Sequence, residues 1–370
     1  MTDKAVRLRG KNLKVKNAFP FIQQDGNFDC CAHVALRSVN LFLYEKWGGK
    51  LLKMDKIVEL ARSVPAAQRD APTEGLSITQ IVTVIKQMGF DVLVYAYGND
   101  PKEWEFFPER VVYHYVESAL PVLLGIPTRS GGHAIIVTGH TFDPDEWWPD
   151  AEQGYYKLRH SGGCYHCSTT WISEFIVNDD NFGPYMTIPK DYLTEVASAE
   201  HLTVVVPIPK EINFKGEDAE IYAHASLRDN FYREALQVFP EDSSSMHWAK
   251  LFWEEYEEET IILRTMLMDS SKIKKEYEVG NFPVEVKQLV RGLKLPKLVW
   301  LTEFSLRHLF SQHRKLLGQF IIDATSTPTF GDTSDLIVRL PGQIVIRNKN
   351  DGRDTFIWHD DYPREHQYRE

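Results

Sequence analysis

Cysteine is scarce in this chain, with four in 370 residues, and that scarcity excludes a disulfide-stapled scaffold. Long apolar runs are missing too: no stretch approaches the roughly 18 apolar residues of a membrane span. Positive charge is not in excess. The formal net charge is −10, which argues against a nucleic-acid-binding surface. The chain has no glycine-rich phosphate loop, no internal repeat and no low-complexity tract. Its first residues, MTDKAVRLRGKNLKVKNAFP, are basic, but no apolar segment follows them. They read as a solvated tail and not as a secretory signal. Reduced thiols, no membrane partner and no nucleic-acid partner together make a cytoplasmic setting the expectation.

What is present suits a folded, core-forming protein. Hydrophobic residues make up 43%, charged residues 25% and aromatics 12%, with nine Trp. These values are ordinary for globular domains, and the length favours two of them. The polar stretch Pro207–Glu220 (PIPKEINFKGEDAE) is the best internal boundary. It gives an expected first domain over 18–208 and a second over 220–370.

Along the first region, Ala32, Ala35, Leu36, Val39, Phe42 and Leu43 recur at helical spacing, with Asp29 as the N-cap. Lys53–Val64 also reads as helix. Leu76–Met88 is a further helix ended by Gly89. Phe90–Tyr97 alternates like a strand. Leu120–Ile126, His133–Gly139, Phe175–Asp179 and Leu202–Ile208 read as strands, and Asp143–Asp150 as a loop. Helices first and mainly antiparallel strands after them predict an α+β fold. In the second region, 221–292 reads as mostly helical. Leu298–Phe304 and Gln319–Asp323 read as strands, and Leu336–Leu340 with Gln343–Arg347 as a hairpin around Pro341-Gly342.

Chemistry concentrates in the first region. Cys30 and Cys31 stand in the first turn of the first helix, where free N–H groups and the helix dipole favour a thiolate. The helical register favours Cys31 as the nucleophile, with Cys30 kept open. His33 lies two residues on and points about 200° away, so it is not the base. His133 follows Gly131-Gly132 and opens the apolar run Ala134–Val137. It is the candidate base, with His140 a weaker one. The strand Phe175-Ile176-Val177 delivers Asn178, Asp179 and Asp180 at its end. Asp179 is the candidate orienter of the imidazole, Asn178 the alternative, and an Asx turn is compatible with either. Gln24, or else Gln23, can donate to an oxyanion together with the Cys31 N–H.

In this order, Gln24, the run Cys31–Val39, Gly132-His133-Ala134-Ile135-Ile136-Val137 and Ile176-Val177-Asn178-Asp179 resemble the papain-like cysteine peptidases. The closest likeness is to the peptidase C39-like group, over residues 20–205. The resemblance implies a papain-like domain of N-terminal helices packed on an antiparallel sheet. It implies Cys31 as nucleophile, His133 as base, Asp179 as orienter and Gln24 as oxyanion donor, with no cofactor and no metal. The sequence departs from the family pattern where Ala32-His33 replaces Gly-Pro, where Cys30 precedes Cys31, and where Asp180 replaces Pro.

Elsewhere, His160, Cys164, His166 and Cys167 have spacing that zinc can use, but without a second Cys/His pair they read as a glycine-rich hairpin tip with reduced thiols. Trp253–Glu259 reads as a solvated acidic helix face. Glu303 and Asp323 lie on strands without a supporting signature. The expected activity is a thiol hydrolase, a cysteine peptidase or amidase acting on an amide or isopeptide bond of a peptide or protein substrate. The alternatives are acyl transfer at the same Cys–His site, or an inactive papain-like binding module.

Overall fold

The computed structural model describes residues 2–8, 11–23, 31–64, 75–128, 131–141, 156–157, 164–227, 243–307, 309–310, 315–327, 334–348, 353–358 and 364–365. The chain divides into two compact units, 1–141 with 173–210 and 142–172 with 211–369. The crossing at 210/211 falls inside the polar stretch 207–220. The linear split into 18–208 and 220–370 does not describe the rest, because 142–172 clusters with the second unit. The reason is strand pairing. Cys164–Cys167 runs parallel to Ile262–Asp269, with Ile262 opposite His166 and Leu263 opposite Cys167. The first unit closes where the chain leaves and returns: the Thr141 N–H donates to the Glu174 carbonyl at 2.9 Å, and the Thr141 and Ser173 hydroxyls lie 2.9 Å apart.

The first unit is built on a six-stranded sheet in the order Phe90–Tyr97, Leu202–Pro209, Val122–Thr128, Gly131–His140, Glu174–Asp179, Gly183–Pro189. Every neighbouring pair is antiparallel. The helices Cys31–Trp47, Met54–Arg62 and Ile78–Gln87 precede these strands and pack together, the first of them on the strand Gly131–His140. Their shared core includes Leu36, Val39, Leu43, Ile57, Val84 and Ile136. Burying a side chain of this size stabilises by about 1.5–3 kcal/mol, so packing of the apolar face holds the first helix more than its intrinsic propensity does. The third helix starts with a capping box: the Gln80 N–H donates to Ser77 Oγ at 3.3 Å, and the Ser77 N–H donates to Gln80 Oε1 at 2.9 Å. Two further helices, Pro108–Glu117 and Tyr192–Ala199, complete the unit.

The N-terminal stretch is not a solvated tail. Thr2–Leu8 and Lys11–Ala18 pair antiparallel, with Leu8 opposite Lys11. Val6 and Leu8 before the turn, and Leu13 and Val15 after it, alternate with charged residues, the two-residue period of a hairpin.

The second unit has an eight-stranded sheet in the order Arg353–Trp358, Gln343–Asn348, Asp335–Leu340, Gly318–Asp323, Leu298–Ser305, Ile262–Asp269, Cys164–Cys167, Tyr156–Lys157. Its strands pair antiparallel except for the parallel pair at Cys164–Cys167. Ile262–Asp269 corrects the helical reading of 221–292. A short buried segment rich in apolar residues does not by itself distinguish a strand from a helix, and here it lies inside a sheet, buried at every residue but its last. The helices Gly216–Ser226, Ser244–Glu257, Ser270–Val279 and Val284–Gly292 occupy the remaining described parts of that region. On the second of these helices, Trp253 and Tyr256 are buried while Glu254 and Glu257 are exposed.

A polar ladder crosses four strands of this sheet. Arg264 stands opposite Glu303, Glu303 opposite Gln319, and Gln319 opposite Arg339, and all four are buried. Arg264 Nη1 meets Glu303 Oε2 at 3.0 Å, and Gln319 Nε2 donates to the Tyr277 hydroxyl at 3.0 Å. A strand slipped by one residue would break every rung, so the ladder specifies register. Asp323 stands opposite Val299, not opposite Glu303, and its carboxylate is engaged by the Thr325 N–H at 2.9 Å. The two acids do not form a pair. Taken together the molecule is α+β. No helix among the described residues is long and apolar enough to cross a membrane.

Candidate active site

Cys31 is the first residue of the helix Cys31–Trp47 and is buried. Its place is set by the residues after it: Ala35, Leu36, Val39 and Leu43 press one face of the helix into the core. The helix start leaves N–H groups without intrahelical partners there. Cys30, Asp29 and Gln24 lie outside the described residues. Gln23 is described and is exposed.

His133 lies near the start of the strand Gly131–His140, opposite Ile126. Gly131, at φ 134°, occupies backbone space open to glycine, and a Cβ at Gly132 would meet nothing within 4 Å. Asp179 ends the strand Glu174–Asp179, which pairs with the His133 strand through Ile136 opposite Asn178. Asp179 Oδ1 lies 3.1 Å from His133 Nε2. The same oxygen accepts the N–H groups of Asn181 at 2.8 Å and Phe182 at 3.3 Å. One carboxylate thus makes an Asx turn and faces the imidazole at once. Gly183, at φ 128°, closes that turn opposite Asp179.

Asn178 points elsewhere. Its Oδ1 accepts the Tyr185 N–H at 2.9 Å. Tyr185 sits in left-handed backbone at φ 55°, and its hydroxyl accepts the Phe19 N–H at 2.7 Å. These two bonds offset the cost of that conformation and tie the segment leading towards the Cys31 helix to the strand Gly183–Pro189.

The electrostatics joins these parts. His133 is pushed up to about 9, first by its side-chain hydrogen bond with Cys31 and then by the charge and hydrogen bond of Asp179, while burial opposes the rise. At neutral pH the ring is an imidazolium held between a sulfur and a carboxylate. Asp180 adds a second carboxyl, with Oδ1 3.8 Å from His133 Nε2. Burial raises Asp180 above the usual carboxylate range, and His133 opposes that rise. His133, Asp179 and Asp180 bring one ligand atom each within 4.8 Å of one another.

The structure sets Asp179 against His133, with Cys31 coupled to the same ring, and among the described residues it does not bring His140 or His33 to them. His140 Nε2 lies 2.6 Å from Glu117 Oε2, with its ring against Tyr113. His33 is half-buried and lowered by burial and by Arg62. Among the candidate zinc ligands, His160 lies outside the described residues. Cys164, His166 and Cys167 are buried on one strand, and the two cysteines are free thiols. Cys164 and Cys167 are separated by an odd number of positions along that strand, so their side chains leave opposite faces and do not converge on one ion. Cys167 Sγ instead lies 3.0 Å from Thr169 Oγ1. From sequence, Asp180 was visible only as a departure from a family pattern. The signal that could have flagged it is a second acid directly after the orienter, at the end of an apolar strand.

No family model and no curated protein matches the chain. A solved structure described as UfSP from C. elegans aligns with it at 15% identity and a TM-score of 0.28, covering 52% of this chain and 32% of that one. The chain thus spans about a third of the length of that structure.

Proposed function

We propose that the first unit is a thiol hydrolase of papain-like, C39-like type, a cysteine peptidase or amidase acting on an amide or isopeptide bond of a peptide or protein. The observation that supports this reading is the convergence at His133, which Asp179 Oδ1 meets at 3.1 Å and whose pKa is raised chiefly by Cys31. A nucleophile, a base and an orienter in contact are the parts that acyl transfer through a covalent intermediate needs.

The residues then act as follows. Cys31 attacks as thiolate, its sulfur forming a bond to the carbonyl carbon as the carbonyl π pair moves onto oxygen. The Cys31 N–H and the Gln24 amide donate to that oxyanion. With Nε2 turned to Asp179, Nδ1 is the nitrogen of His133 left for the sulfur. The imidazolium proton passes to the amine as the C–N bond breaks, leaving a thioester on Cys31 and a neutral imidazole. His133 then takes a proton from water, whose oxygen attacks the thioester. The acid leaves, and the thiolate–imidazolium pair is restored. Asp179 holds the ring in one orientation throughout and keeps its charge.

The test is alkylation with iodoacetamide near neutral pH, followed by peptide mapping. Cys31 is expected to react faster than a free small-molecule thiol, and His133→Ala is expected to abolish that advantage. If the wild-type Cys31 reacts no faster than the free thiol, the hydrolase reading fails.

A further inference from the structure

A small pocket, with room for about one water, opens beside Cys31. Val34 and Ile136 line it together with Ser38, Asn178 and Asp180. Two of these groups are left without partners. Neither carboxyl oxygen of Asp180 and not the Nδ2 of Asn178 has a hydrogen-bond partner within the protein. Their residues are only 7% and 3% exposed. Burying such atoms without partners destabilises a fold, and the turn does not require it, because Asp179 alone accepts the two turn N–H groups. A buried acceptor and a buried donor on residues lining one small pocket are the partners an internal water needs.

Asp180 also lies at the imidazole. Its Oδ1 is 3.8 Å from His133 Nε2, the nitrogen that Asp179 meets at 3.1 Å. We propose that Asp180 is a positioning residue for His133: with Asp179 it flanks Nε2 by two carboxyls, and a water in the pocket ties its free oxygen to Asn178 Nδ2. That water donates to the Asp180 carboxyl and accepts from the Asn178 amide. The clamp leaves the opposite edge of the ring turned to Cys31. The inference rests on the Cys31–His133 pairing proposed above. The titratable groups facing His133 are Cys31 from the helix and Asp179 and Asp180 from the strand end. Charge coupling is mutual: the imidazolium that holds Asp180 down is itself favoured by an ionised Asp180.

The experiment follows the His133 imidazole by NMR titration in the full chain, with Asp180→Asn and the smaller Asp180→Ser beside the wild type. In each folded variant the His133 midpoint is expected to fall by roughly half to one pH unit, a three- to tenfold change in its protonation constant. A purely structural Asp180 would move the unfolding and not the midpoint. In the wild type, the Asp180 carboxyl ¹³C shift should show an inflection at the His133 midpoint, which needs no variant. An unmoved midpoint in a folded variant, or no such inflection, overturns the proposal. Failure of the Cys31–His133 reading is seen separately, as a His133 midpoint that ignores Cys31→Ala.

Discussion

Removing the Cys31 sulfur should weaken the preference of His133 for its charged form. The ring titrates at about 9 instead of 6.5, and the hydrogen bond with Cys31 is the largest contributor to that rise. At 1.36 kcal/mol per pH unit, the difference corresponds to about 3 kcal/mol of preference for the charged ring. The His133 side chain is 16% exposed, and screening by nearby water reduces the usable figure to about 2 kcal/mol. Cys31→Ala should therefore lower the His133 midpoint by roughly one pH unit or more. Adding Asp179→Asn removes a second favourable partner and leaves Asp180 beside the ring. Burial then weighs more, and the midpoint should drop further towards the ordinary histidine value. The assay is imidazole NMR across pH 5 to about 10.5 on the wild type, each single variant and the double variant. The singles should not sum to the double, because both partners share one ring. A folded Cys31→Ala chain whose His133 still titrates near 9 would refute the reasoning, since the thiol would then not be the cause.

Three further outcomes follow from the geometry. A raised pKa in the folded state stabilises fully below the unfolded value and loses its effect as pH climbs through the folded one. The stability difference between wild type and His133→Gln, read by denaturant unfolding of the first unit, should therefore be largest below about pH 6.5 and shrink by about 1–2 kcal/mol by pH 10. Glu303→Ala strands the buried Arg264 and should cost about 3–5 kcal/mol in urea unfolding of the second unit, whereas Arg264→Met with Glu303→Leu should recover most of that loss. Gly318→Ala would drive a Cβ into the Phe304 ring and the Arg339 carbonyl oxygen and should lower the unfolding midpoint by the equivalent of roughly 1–3 kcal/mol, while Gly132→Ala, with open space around it, should leave the midpoint within about 0.5 kcal/mol of wild type.

Much of the fold can be read from residue pattern. Phe90–Tyr97 alternates, and its strand has those limits. Pro341-Gly342 marks the tip of the hairpin joining Asp335–Leu340 to Gln343–Asn348, with Gly342 at φ 77°. Other elements were hidden for physical reasons. The strand Gly183–Pro189 carries two prolines and lies at a sheet edge, where proline is tolerated. The N-terminal hairpin shows its alternation only if charged residues are counted as one face of a strand. Of the candidate site, the residue types and their order were legible. The contact of Cys31 with His133 was not, because it joins a helix start to a strand about a hundred residues away, and no local pattern encodes a long-range distance. Asp180 was legible still less. Its character comes from burial and from a neighbouring ring, and neither is a property of the letters around it.

The way the chain passes between its two units bears on how the molecule is made. A ribosome releases Cys31 and His133 first, then the strand Cys164–Cys167, and only afterwards Asp179. That strand's partner, Ile262–Asp269, emerges some hundred residues later, so Tyr165 and Trp171, fully buried in the finished molecule, face water while they wait. Severing the gene after Lys210 would strand that intervening segment without its partner strand and favour clumping.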